Sequence, residues 1–340
     1  MLPSPEQYAE MLDGAASGAY AYPAINVTSS QTLNAAMRGF AEAGSDGIVQ
    51  VTVGGARYWS GSADSAFAGA LAMTALGQEL AKRYPVAIAF HTDHCPPGDV
   101  DEFLRPLLAA TRERRERGEP PLFHSQMFDG STLPLDENLR TCAEFLDECR
   151  ALDVVLEIEC GVIGGEEDGI GGEGAQSERL YTTSEELLEV AAALGTGERG
   201  RYLLAATFGN VHGLYAPGHV KLRPEILGDG QAALAQAHPG ARFEYVFHGS
   251  SGSTLEELRA AVGHGVVKVN LDSEAQYAFT RGAAGHMFRH YDGVLAVDGG
   301  VGDKRAYDPR VWGGEAEASM ARRVARACEV LGSAGRSIAG

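Results

Sequence analysis

The run VAIAFHTD, residues 86–93, reads as a buried strand: a short apolar stretch that ends on His91, Thr92 and Asp93, with His94 next. It is too short for a core helix, and an apolar run without alternation suits a parallel sheet covered on both faces. The same design recurs on either side. YPAINV (from Tyr22) and DGIVQVT (from Asp46) precede it. LFHSQMFD (from Leu122), VVLEIEC (from Val154), YLLAATFG (from Tyr202), FEYVFHG (from Phe243) and GVVKVNLD (from Gly265) follow. Amphipathic stretches separate the runs. SSQTLNAAMRGFAEAG offers Ser29 or Ser30 as an N-cap and stops at Gly44. DENLRTCAEFLDECRAL offers Asp136 as a cap, and TSEELLEVAAALG opens on Thr183 with acids in the first turn. Eight strands alternating with helices predict a (β/α)₈ barrel. With no repeat, low-complexity segment or linker, residues 1–340 read as one domain, with a helical extension over 313–333.

In such a barrel, chemistry is assembled at the carboxyl ends of the strands. Here those ends carry Asn26, Thr52, Asp93-His94, Asp129, Glu157 and Glu159, His212, His248, and Asn270 with Asp272. One strand-end histidine or acid is ordinarily a cap or a satisfied polar group. Their convergence on one rim is the signal. His94, His212 and His248 are the three histidines selected; neutral imidazoles suit zinc or cobalt with one position left open for substrate. His124 and His219 are weaker competitors. HGSSGS (from His248) and NLDSEAQ (from Asn270) each lead into a helix N-terminus, where backbone N–H groups favour an anion. They follow strands seven and eight, the common phosphate position of barrels. GGEEDGIGGEGAQSER, from Gly164, is too acidic and glycine-rich for a strand or helix and reads as a lid near 164–180.

Composition narrows the class. Lys plus Arg number 28 against 46 Asp plus Glu, a net charge of −18, which repels nucleic acid and anionic membranes. Five widely spaced cysteines argue for a reducing compartment, and nothing reads as a signal peptide or membrane span, so the cytoplasm is expected.

HTDHC (from His91), LEIE followed by GGEEDG (from Leu156), FGNVHG (from Phe208), HGSSGS, VVKVNLD and YDPRVW (from Tyr307) together resemble the class II fructose-bisphosphate aldolases. The likeness is to the longer, dimeric subgroup of actinobacterial type and runs over almost the whole chain. It implies aldol cleavage of fructose 1,6-bisphosphate into dihydroxyacetone phosphate and glyceraldehyde 3-phosphate, in glycolysis and gluconeogenesis, through a zinc-stabilised enediolate. It further implies zinc on His94, His212 and His248, a second divalent position at Asp129 and Glu159, and a bound Na⁺ or K⁺. Asp93 would exchange a proton with the C4 hydroxyl, and Glu167 would act on the ketone carbon. Asn26, Thr52, Gly213, Gly249, Ser250, Ser251, Asn270, Leu271, Asp272 and Ser273 would bind substrate, and Arg310 the far phosphate. A homodimer is implied as well.

The chain departs from the family pattern in having Thr52 for serine, Ser250 for glycine, and NLDSEAQ for NVDTDTQ. The segment RYWSGSADSAFAG after the second strand is also unusual. If position 250 requires positive φ, serine there costs about 1 kcal/mol. A paralogue for tagatose or sedoheptulose bisphosphate is therefore the alternative. Weaker rivals are a Schiff-base aldolase on Lys268, whose bland reading is a buried ion pair, a zinc hydrolase, and a non-catalytic barrel.

Overall fold

Eight parallel strands close on themselves in the order β1-β8-β7-β6-β5-β4-β3-β2. They are β1 (Tyr22–Asn26), β2 (Gly47–Val51), β3 (Ile88–Thr92), β4 (Ser125–Phe128), β5 (Val155–Cys160), β6 (Tyr202–Ala206), β7 (Tyr245–Phe247) and β8 (Val266–Leu271). The computed structural model describes residues 1–161, 166–167, 170–171, 180–211, 221–296 and 299–339, with 166–167 and 170–171 as backbone alone. All eight runs expected from the sequence are strands of this barrel. Register brings their chemistry level: Gln50 pairs with His91, and Ala24 with Asn270.

Two apolar layers hold the barrel. The outer one packs helices on strands, through residues such as Leu33, Phe40, Phe90, Phe103 and Phe145. The inner one fills the amino-terminal half of the barrel. There Tyr8, Met11, Leu12 and Ala15 of the Pro5–Gly18 helix meet Tyr22, Ala24, Ile48, Ala89, Leu203 and Val246. Ser4 begins that helix with a capping box, and Pro5 stands in its first turn, where a missing N–H costs nothing.

Local signals placed most helix ends. Ser29 caps the Ser30–Ala43 helix, which ends on left-handed Gly44, and Thr183 caps Ser184–Leu194 with a capping box. Two ends differ. The Leu135–Ala151 helix starts after Pro134, so Asp136 sits in the first turn, paired with Arg140 at 3.3 Å, and is not the cap. Proline at that point presets the entry angle and outweighs the acid's preference. The last helix spans Pro309–Leu331, because Asp308 accepts from the Arg310 N–H at 3.0 Å and Pro309 occupies the first turn. Gly313 and Gly314 do not interrupt it. The expectation of no strand in the acidic segment is also corrected: Glu166–Glu167 and Ile170–Gly171 pair antiparallel. The Asp168-Gly169 dipeptide between them is a hairpin signal that the overall composition masked.

Candidate active site

Strand β3 ends at Thr92, which lets the adjacent Asp93 and His94 both face the barrel mouth. In an unbroken strand they would point opposite ways. Asp93 is fully buried and held by three side-chain amides. Asn26 Nδ2 donates to Oδ2 at 3.0 Å, Gln50 Nε2 donates to Oδ2 at 2.9 Å, and Asn270 Nδ2 donates to Oδ1 at 3.0 Å. Gln50 also donates to Asn26 Oδ1. Strands β1, β2 and β8 thus fix one carboxylate in one orientation.

His94 Nε2 and His248 Nδ1 face each other 2.8 Å apart, and Glu159 Oε2 lies 3.7 Å from His94 Nδ1 and from His248 Nδ1. His94 Nδ1 lies 2.8 Å from Asp129 Oδ2, and the Ser131 N–H donates to Asp129 Oδ1 at 3.0 Å. Burial alone would raise the Asp129 carboxyl, but the hydrogen bond and charge of His94 outweigh it and hold it well below the usual range. His248 Nε2 lies 2.8 Å from Glu157 Oε1, so the ring's other nitrogen is the one turned to the mouth. Burial keeps His248 below its ordinary value, favouring the neutral ring that a metal requires. Two groups, Asp93 with His94 and His248, and His94 with Asp129 and Glu159, each bring their ligand atoms within 4.8 Å of one another. Buried nitrogen and carboxylate donors turned on one point fit a borderline divalent cation.

Beneath this cluster runs a polar column that the sequence reading did not assemble. Lys268 Nζ lies 2.9 Å from Glu157 Oε2 and donates to Asn270 Oδ1 at 2.7 Å. Burial opposes the Glu157 charge, yet Lys268, His91 and His248 together hold its carboxyl below the usual range. His91 Nε2 lies 3.4 Å from Glu157, and its Nδ1 lies 2.8 Å from Ser125 Oγ, which meets the Tyr8 hydroxyl at 2.9 Å. Burial and Lys268 hold His91 down to about 3, so it is neutral. The signal for Glu157 was present in LEIE, where residues two apart point to one side of the strand. Lys268 stands in the ion pair expected as its bland reading.

The remaining predicted residues divide. Thr52 accepts from the Gly55 N–H at 3.0 Å as the cap of the Val53–Trp59 helix. Gly249 to Ser251 lie on the turn after β7, Asn270 and Leu271 end β8, and Asp272 leads into Ser273 at the start of the next helix. Ser251 Oγ is buried without a hydrogen-bond partner among the described residues. Arg310 is 85% exposed and pairs with Asp308 at 2.6 Å, with no contact to the groups above. His212, Gly213, His219 and the Glu167 side chain lie outside the described residues, as does most of the segment 164–180.

The family model described as fructose-bisphosphate aldolase class-II matches residues 6–336. The chain belongs to that family. This aldolase, a carbon–carbon lyase, is 55% identical over 337 residues to the fructose-bisphosphate aldolase of Streptomyces galbus, covering 98% of each chain. It is 53% identical over 340 residues to that of Mycobacterium tuberculosis H37Rv, again covering 98% of each. A solved aldolase structure from Campylobacter jejuni superposes with a TM-score of 0.85 at 33% identity, over 99% of this chain and 97% of that one. The actinobacterial resemblance and the barrel class are borne out. No helix among the described residues is long and apolar enough to cross a membrane.

Proposed function

We propose that this aldolase cleaves and forms fructose 1,6-bisphosphate with zinc held by His94, His212 and His248, and with Asp129 and Glu159 at a second divalent position. The observation that carries the reading is the meeting of His94, His248 and an amide-clamped Asp93 at one point of the barrel mouth. Zinc bound there supplies Lewis acidity toward the ketose carbonyl. In cleavage, Asp93 accepts the C4 hydroxyl proton as the C3–C4 bond breaks and the C4 oxygen becomes an aldehyde. The bonding pair passes to C3, which receives a proton from Glu167; condensation runs the same steps backwards. The three amides on Asp93 keep its free lone pairs aimed at that hydroxyl. The turns after β7 and β8, with Ser251 Oγ and the N-terminus of the Ser273–Arg289 helix, suit the phosphate of dihydroxyacetone phosphate, and Asn26 and Thr52 stand at the same rim. Arg310 takes the far phosphate, and carbonyls of the phosphate turns hold Na⁺ or K⁺. The enzyme acts as a homodimer in the cytoplasm; five buried thiols suit that reducing compartment.

The test is cleavage of fructose 1,6-bisphosphate followed through its triose phosphates, before chelation, after it, and with zinc restored. Activity should vanish with the metal and return with zinc, and Asp93→Asn should lower kcat by about 10²–10⁴-fold. Activity surviving complete metal removal would overturn the metal assignment. Cleavage of tagatose 1,6-bisphosphate in preference would overturn the substrate.

A further inference from the structure

The turn after β7 is shaped by two glycines in the left-handed region. Gly249 has φ 62°, and a Cβ there would lie 2.6 Å from the Val211 carbonyl oxygen. Gly252 has φ 81°. Ser250, between them, is not in the left-handed region, so the strain considered for serine at this position does not arise. Its side chain is buried, and its hydroxyl donates to the Asn270 carbonyl oxygen at 2.9 Å. The ladder between β7 and β8 ends at the pair Phe247–Val269, so this bond joins the turn after β7 to β8 one residue beyond β8's last pairing with β7. It lands on the residue whose side chain clamps Asp93 and meets Lys268. Behind the turn lies a cavity of about 230 Å³ lined by Ser250, Leu258, Val269, Leu271 and Ala327. The Ser253 N–H donates to the Ser250 carbonyl at 3.2 Å and Asn210 Nδ2 to the His248 carbonyl at 2.9 Å, and the Ser250 hydroxyl adds the tie from the turn to β8.

We propose that Ser250 is a positioning residue, a strap that ties the turn after β7 to the end of β8 and so sets the affinity for the phosphate seated at these two strand ends. The inference rests on the reading of those turns as a phosphate site. It differs from a direct contact: the hydroxyl is spent on Asn270, and the phosphate meets backbone N–H groups that the strap holds in place. Where the family pattern has glycine, the serine here supplies this side-chain bond.

The experiment uses the zinc-loaded enzyme with Ser250→Gly, Ser250→Ala and Ser250→Thr, at equal zinc content and with melting temperatures recorded. Loss of the hydroxyl should raise KM for fructose 1,6-bisphosphate and for dihydroxyacetone phosphate about tenfold, with kcat changed far less. Threonine, whose extra methyl has the cavity to enter, should restore KM. Condensation with unphosphorylated dihydroxyacetone should change far less than condensation with dihydroxyacetone phosphate in all three variants. Unchanged KM in both hydroxyl-less variants would overturn the strap, even with a lowered melting temperature. Equal losses with phosphorylated and unphosphorylated triose would overturn it too. The underlying reading is checked separately in the unaltered enzyme: failure to prefer dihydroxyacetone phosphate over dihydroxyacetone would sink the phosphate site, not the strap alone.

Discussion

Lys268 shows how a residue's chemistry is set by its neighbours. A lysine inside a dry barrel is a conceivable nucleophile, but here the ammonium lies between Glu157 and Asn270 with its charge matched. Glu157 in turn positions His248, so on the proposed reading the pair orients a metal ligand and does not attack substrate. Lys268→Met would leave the Glu157 charge in the core with only His248 and His91 beside it. Denaturant unfolding should show a loss of about 3–5 kcal/mol, and borohydride added with substrate should leave the native enzyme active. Borohydride inactivation would revive the Schiff base. An ion pair with some barrel carboxylate was the bland expectation for Lys268; that Glu157 is the partner, and that it also orders His248 and His91, needed coordinates, because the strands are far apart in sequence.

At the scale of elements, the Ser273–Arg289 helix carries a second device. Buried His286 places Nδ1 2.9 Å from Glu315 on the last helix and Nε2 2.7 Å from the Ala306 carbonyl, at the end of the Lys304–Tyr307 helix. Both partners are acceptors, so the protonated ring, with both nitrogens donating, satisfies both. Arg289 pairs with the same Glu315, and His290 stacks 4.6 Å from His286. The Glu315 hydrogen bond, opposed by burial, raises His286 above its ordinary 6.5. A raised folded value means that the stabilisation is complete below about pH 6.5 and is lost as pH climbs through the folded value. The melting temperature of the unaltered enzyme should exceed that of His286→Gln by about 2 °C near pH 6, with the gap closing by about pH 9. A gap constant with pH would show that the ring acts by packing alone. None of this was legible beforehand, because a latch between three segments has no local signature.

For the whole molecule, charge and exposed surface matter together. A chain of net charge −18 meets an anionic substrate, so attraction must come from local groups: a metal, and the helix N-terminus after β8. On the outside, Phe288 (81% exposed), Leu295 and Val301 leave apolar surface uncovered on neighbouring segments, which supports the homodimer. Phe288→Asp should shift sedimentation at micromolar concentration from dimer toward monomer, with the fold intact by circular dichroism. An unchanged sedimentation coefficient would place the interface elsewhere.

What the sequence by itself determined was periodic or local: eight apolar runs, most helix caps, and the class of side chain at each strand end. Those features are set by residues within a turn or two of one another, so they survive being read in one dimension. The pairing of Glu157 with Lys268, the amide clamp on Asp93, and the strap from Ser250 to Asn270 were decided only by the tertiary structure. Each joins groups on different strands, and their distances exist only once the barrel has closed and its register brings the strand ends to one level. The ends of the Leu135–Ala151 and Pro309–Leu331 helices were misread for a smaller reason, since proline outweighed the acidic and glycine signals beside it.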